Sequence, residues 1–290
     1  MDILLLLQHS PLAFALVCLL FGLVVGSFLN VVIHRLPVIM EREWRAEYAA
    51  VMGTEPPPAG ERFDLVVPRS RCPHCGHAIT ALENVPLLSW LMLRGRCSAC
   101  RAPISPRYPA VELLTGLISG WAGWHFGFGW QAAGALLLGW GLVAMAGIDL
   151  ETQLLPDHLT LPFLWLGLLF NLGGTFTDLR SAVIGVLAGY LVLWSLYHAF
   201  RLLTGKEGMG YGDFKLLALL GAWLGWQVLP LVLFMSALVG AVVGLSMLSL
   251  KQLQRDTPIP YGPYLAAAGW VALIWGAPLT NTYLGFTGLH

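Results

Sequence analysis

Charge is what this chain has least of. Only 11% of its 290 residues are charged, while 57% are hydrophobic. An ordinary soluble domain carries about 25% charged residues, so the composition excludes one and points to a polytopic membrane protein. A strong bias of either sign is also missing, because 16 Lys and Arg balance 16 Asp and Glu. Ten of the basic residues and seven of the acids fall in residues 34–108, so even that block is only mildly basic. This argues against a large anionic partner and against nucleic acid, which demands many phosphate contacts. The N-terminal apolar stretch has no basic region before it and no small-residue cleavage site, so it reads as a retained span. No repeat at a fixed period is evident. Cysteine is scarce, with five in all. Cys18 stands alone in an apolar run and reads as a small buried hydrophobe.

The uncharged stretches set the architecture. Residues 3–33, 113–148 and 216–250 contain no Lys, Arg, Asp or Glu. About 20 apolar residues cross a bilayer, and the second and third stretches are long enough to be split. The chain therefore predicts an all-α membrane fold of about eight transmembrane helices. The first runs from about Pro11 to Ile33 and is stopped by Pro37. Further spans are expected near 110–127, 130–148, 158–175, 181–200, from close to Asp213 to 224, 230–250 and 261–276. Residues 38–108 are the one hydrophilic stretch large enough for a small domain. Within it, Glu41 to Met52 reads as an amphipathic helix and Pro56–Gly60 as a linker. The expected division is 1–37, first helix; 38–108, soluble domain; 109–290, membrane domain.

Lys and Arg favour cytoplasmic loops. With the N-terminus outside and eight spans alternating, 15 of the 16 basic residues fall inside and only Arg180 falls outside. This arrangement puts Asp149 and Asp213 on one cytoplasmic face.

Two cysteine pairs lie in the hydrophilic block: Cys72-Pro73-His74-Cys75 and Cys97-Ser98-Ala99-Cys100. Two such knuckles present four thiolates to one tetrahedral zinc. Two disulfides or free thiols are the competing readings, and a cytoplasmic location disfavours stable disulfides. Four thiolates leave no open position, so the metal would be structural. His74 and His77 read as neighbours of the site or surface residues.

Asp149 and Asp213 each stand where an apolar run ends or begins. An ionisable residue at that depth is costly and marks function by default. Two carboxylates brought together do not both ionise easily, and a pair sharing a proton can act as acid and base on one water. Glycines flank Asp213 in Gly210-Tyr211-Gly212-Asp213 and leave room for an extended peptide. Glu151 reads as a solvated acid, Asp157 as a helix N-cap, and Lys215 as a snorkelling interface residue. Ser27 and Asn30, after Gly26, lie in an apolar helix and serve either helix packing or a ligand site. Glu112 could support such a site or cap its own helix.

Together these stretches resemble a known family. The resemblance rests on Gly26-Ser27-Phe28-Leu29-Asn30-Val31 with Arg35-Leu36-Pro37, on the two cysteine pairs, on Asp149 with Leu154-Leu155-Pro156-Asp157, and on Gly208 to Lys215. In that order they look like bacterial type IV prepilin peptidase, over about residues 11–276. The resemblance implies a bifunctional inner-membrane enzyme. Such an enzyme removes the basic leader of type IV prepilins and type II secretion pseudopilins, usually between Gly and Phe, and then N-methylates the new terminus with S-adenosyl-methionine. It implies Asp149 and Asp213 as catalytic aspartates and Cys72, Cys75, Cys97 and Cys100 as zinc ligands. No glycine-rich cofactor loop is present, so Gly26, Ser27, Asn30 and the zinc domain are only candidates for the methyl-donor site. Competing readings are a peptidase without methyl transfer, a proton-coupled transporter with a zinc-binding loop, and a membrane scaffold.

Overall fold

A computed structural model describes residues 3–54, 62–206, 208–250 and 259–287. Among them the chain is helical, with two isolated β-bridges and no strand. The expected Pro56–Gly60 linker lies outside the described residues. Two compact units divide at Phe128/Gly129.

In the first unit a short helix α1 (Ile3–His9) precedes α2 (Pro11–Met52). Ser10 caps α2 through its hydroxyl, which accepts the Ala13 N–H at 3.3 Å. The expected stop at Pro37 is not observed. Proline removes one helical hydrogen bond, but Ile33, Leu36 and Met40 on either side of it are buried, and their packing carries the helix through. At 42 residues α2 is about 63 Å long, twice the ~30 Å hydrocarbon thickness. Its second half, with Glu41, Arg42, Glu43, Arg45 and Glu47, therefore extends beyond the apolar layer. The short α3 (Leu88–Met92) lies in the cysteine region. The helix α4 (Arg107–Phe126) packs along α2. The two backbones touch, and a Cβ on Gly26 would stand 2.7 Å from Glu112 Cα. Cys18 is buried against Gly123 in this seam, as a small hydrophobe should be.

The second unit contains α5 (Trp130–Thr152), α6 (Asp157–Leu172), α7 (Leu179–Thr204), α8 (Tyr211–Leu224), α9 (Leu229–Ser249) and α10 (Gly262–Thr287). Its centre is α8, whose residues from Asp213 to Leu224 are almost all buried. A helix that is apolar all round belongs in a core, and α6, α7, α9 and α10 surround this one. The α7–α8 approach is set by glycine: a Cβ on Gly221 would lie 2.2 Å from Gly185 O, and one on Gly185 would lie 2.4 Å from Gly221 O. Small residues permit such contact where lipid offers no hydrophobic drive between helices.

Among the described residues four helical stretches are long and apolar enough to cross a membrane: Pro11–Met52, Trp130–Thr152, Leu179–Thr204 and Trp226–Ser249. The helix α8, with 14 residues, reaches only about 21 Å.

Candidate functional site: an aspartate pair and a four-cysteine cluster

The second unit brings Asp149 and Asp213 together. The expected span ended near 148, but α5 runs on to Thr152 and places Asp149 in the last helical turn, where Gln153 N–H closes the helix on Asp149 O. Asp213 lies in the first turn of α8, after Gly210. Their exposures are 5% and 6%, so both are buried. The Asp149 carboxylate is within electrostatic reach of Asp213. Its Oδ2 accepts the Gly262 N–H at 2.9 Å. Gly262 is the first residue of α10, and the opening N–H groups of a helix have no partner inside it. Asp213 therefore sits at the start of its own helix, where the backbone dipole favours negative charge, while Asp149, at the end of α5, turns its carboxylate to the first N–H of α10.

Leu155 links the two sides. A Cβ on Gly212 would lie 2.6 Å from Leu155 Cβ, and one on Gly262 would lie 3.3 Å from Leu155 Cδ1 and 2.7 Å from Asp149 Oδ2. Neither position admits a side chain, so the backbone approaches both the leucine and the carboxylate closely. Tyr261 also stands within electrostatic reach of Asp213, with its hydroxyl 2.7 Å from the Ser236 hydroxyl. Tyr261 and Gly262 were not singled out from the sequence. Their signal is Tyr261-Gly262-Pro263 at the start of the last apolar run, a proline-opened helix start.

One expectation beside the pair is corrected. Asp157 does not cap α6, since Pro156 occupies the N-cap position. Instead Asp157 accepts Lys215 Nζ at 2.6 and 2.8 Å. Lys215 is thus paired with the first residue of α6.

In the first unit the four sulfurs of Cys72, Cys75, Cys97 and Cys100 lie within 4.8 Å of one another, and all four are free thiols. Cys72 Sγ and Cys100 Sγ are 3.8 Å apart. A tetrahedral zinc with Zn–S of about 2.3 Å needs a sulfur–sulfur edge of ~3.8 Å, so the donor set fits.

The two knuckles repeat one geometry. Cys72 N–H bonds His77 O at 2.9 Å, and Cys97 N–H bonds Ala102 O at 2.8 Å. Gly76 and Arg101 take the same left-handed turn, at φ 72° and 61°. The amides of Cys75 and His74 pull the Cys72 thiol down to about 7, and those of Cys100 and Ala99 lower Cys97. Glu83 braces the pair from outside. It accepts Thr80 N–H at 2.9 Å and the Ser98 hydroxyl, and stands 3.2 Å from His77 Nε2.

Ser27, Asn30 and Glu112 also belong to the first unit. Asn30 Nδ2 donates to Gly26 O at 3.2 Å and Tyr108 O at 3.1 Å. Glu112 Oε2 accepts Leu87 N–H at 2.8 Å, and the Ser27 hydroxyl also bonds this carboxylate. Arg35, part of the Arg35-Leu36-Pro37 stretch, is buried and donates to Asp64 O at 2.9 Å and Pro68 O at 2.6 Å.

Comparison with known proteins agrees with this anatomy. Residues 20–126 match the family described as "Bacterial Peptidase A24 N-terminal domain", and residues 136–245 match the "Type IV leader peptidase family". A "Prepilin leader peptidase/N-methyltransferase" of Stutzerimonas stutzeri is 60% identical over 283 residues, covering 98% of each chain. Proteins of the same description from Pseudomonas aeruginosa and Aeromonas hydrophila are 58% and 60% identical. They cover 97% and 98% of this chain, and 97% and 99% of their own length. No solved structure matches the chain. The chain belongs to the type IV leader peptidase family.

Proposed function

We propose that this protein removes the leader peptide from type IV prepilins and type II secretion pseudopilins, then N-methylates the exposed terminal residue with S-adenosyl-methionine. The observation that carries the reading is the buried pair Asp149 and Asp213, drawn together at the ends of α5 and α8. The description shared by the relatives names both activities and supports the reading. The enzyme sits in the bacterial inner membrane with about eight spans and a periplasmic N-terminus. Residues 1–37 form its first transmembrane segment, 38–108 a cytoplasmic zinc domain and 109–290 the peptidase, which cuts at the cytoplasmic face.

Asp149 and Asp213 share one proton and hold a water. One carboxylate takes a proton from the water as its oxygen attacks the scissile carbonyl carbon. The other gives its proton to the carbonyl oxygen. When the tetrahedral species collapses, the C–N bond breaks and the leaving amine takes a proton back from the pair. The Gly262 N–H holds one oxygen of Asp149, which fixes the carboxylate's rotation and leaves Oδ1 for the water. Cys72, Cys75, Cys97 and Cys100 would hold Zn2+, tying the two knuckles into one domain. S-adenosyl-methionine supplies a methyl group on a sulfonium.

Intact-mass analysis tests the reading. Purified enzyme in detergent is mixed with a prepilin, with and without S-adenosyl-methionine. Loss of the leader plus one added methylene, only when the donor is present, is the expected result. Asp149→Asn and Asp213→Asn should each slow cleavage at least ~100-fold, the usual worth of a positioned acid or base. Cleavage at the wild-type rate by either variant would remove the pair from the mechanism.

A further inference from the structure

The α2–α4 seam holds polar groups that helix packing leaves incompletely matched. Glu112 is 8% exposed and Asn30 is 4% exposed. The partners of the Glu112 carboxylate among the described residues are the Leu87 N–H and the Ser27 hydroxyl, and neither carries positive charge. Asn30 Oδ1 is buried and accepts no hydrogen bond. A buried acceptor left unpaired is costly, and a buried carboxylate calls for a cation.

The residues that carry these two acceptors lie on facing stretches of α2 and α4. Gly26 packs against Glu112, while Asn30 bonds Tyr108 O, one helical turn earlier on α4. One turn is about 5.4 Å. The seam therefore presents a carboxylate and a carbonyl oxygen within one turn, with the Ser27 hydroxyl steadying the carboxylate.

The backbone over Glu112 is strained. Leu87 has φ 60° and ψ −48°, and Leu88 N–H reaches back to Pro86 O at 2.6 Å. A three-residue turn with positive φ is rare for a non-glycine residue. Strain of this kind persists where surrounding structure holds it, and it clusters at functional sites. Here the Leu87 N–H on Glu112 holds it.

We infer that Glu112 and Asn30 form a binding site for a primary α-ammonium group. The carboxylate neutralises the charge, and Asn30 Oδ1 accepts one of its N–H bonds. Two molecules in the proposed reaction carry that group: the mature pilin, through its freed terminus, and S-adenosyl-methionine, through its methionine end. The inference rests on the methyl-transfer half of the proposed function. It assigns Glu112 and Asn30 to binding, apart from the Asp149–Asp213 pair that breaks the peptide bond.

The test uses the full-length enzyme and a pilin already cleaved but not methylated. Wild-type methylation is the control, and if it is absent the proposed function fails before this inference is reached. Glu112→Gln keeps an oxygen for Leu87 N–H and removes the charge. It should leave leader cleavage unchanged and lower methylation at least about tenfold, the worth of one charge-assisted contact. Varying the two substrates separately identifies the source. A raised KM for mature pilin assigns the terminal amine, and a raised KM for S-adenosyl-methionine assigns the donor. Asn30→Leu keeps the volume without the acceptor and should act in the same direction. Unchanged methylation in Glu112→Gln would mean that a water satisfies the seam, and would overturn the site. A parallel fall of cleavage and methylation in both variants would make the two residues structural, and would overturn it equally.

Discussion

Asp64 shows how much order one carboxylate imposes on the hydrophilic region. Its Oδ1 accepts Val66 N–H and Val67 N–H at 2.7 Å, and its Oδ2 takes the Arg62 guanidinium at 2.7 Å. The Val67 amide, then the Val66 amide and Arg62, hold its pKa near 2, below an ordinary 3.8. A carboxylate with a depressed folded-state value stabilises above its unfolded value and loses that effect as pH falls through the folded one. The Val66 and Val67 amides should therefore stay protected at pH 4 and lose protection as pH falls toward 2. Hydrogen exchange corrected for the intrinsic rate measures this, and protection independent of pH across that window would contradict it. At this scale the sequence was informative where chemistry is expensive. Asp149 and Asp213 were legible because charge beside an apolar run needs a reason. The Gly262 N–H on Asp149 was not, because a backbone donor 113 residues away leaves no mark in composition or spacing. The Asp157–Lys215 pair was hidden in the same way, by distance along the chain.

Between elements, the α7–α8 seam is a backbone-to-backbone contact in the second unit. Gly185 and Gly221 face each other carbonyl to Cα, and no side chain can yield to make space. Gly221→Val should therefore push the two helices apart and cost about 1–3 kcal/mol, as overpacking does. A lower melting temperature in detergent, with slower leader cleavage because α8 carries Asp213, is the expected outcome. A melting temperature equal to that of the wild type would show that the seam relaxes without loss. Apolar runs located the helices well, but the ends went astray where local rules met tertiary packing. Pro37 is a reasonable stop signal in isolation. The buried side chains on both sides of it made α2 a single 42-residue helix. The end of α5 moved past Asp149 because a left-handed Gln153 closes the helix there.

For the whole molecule, the large apolar core of the second unit contains no residue of the cysteine region. Structural zinc sites couple metal binding to folding. Chelation should therefore loosen the cysteine region alone. Trypsin should cut faster at the exposed Arg69, Arg71, Arg94, Arg96 and Arg101 as the backbone around them loosens, while most helical circular dichroism remains. Loss of the bulk helical signal on chelation would show that the second unit depends on the metal. Both knuckles were readable from Cys-x-x-Cys spacing, but their shared fold was not. The residues in the matching left-handed turns, Gly76 and Arg101, have nothing in common as residue types.

The enclosure of α8 governs how Asp213 can be reached. Its flanks are covered by protein along their length, so it has no face on which a molecule dissolved in the hydrocarbon could travel. Tyr211, at the helix start, is the largely exposed side chain of its first turn. On the proposed mechanism a scissile peptide, or an inhibitor built to resemble one, meets this carboxylate end-on, at the mouth of the helix. Greasiness alone will not deliver such a compound; it needs a polar head that can work at that mouth.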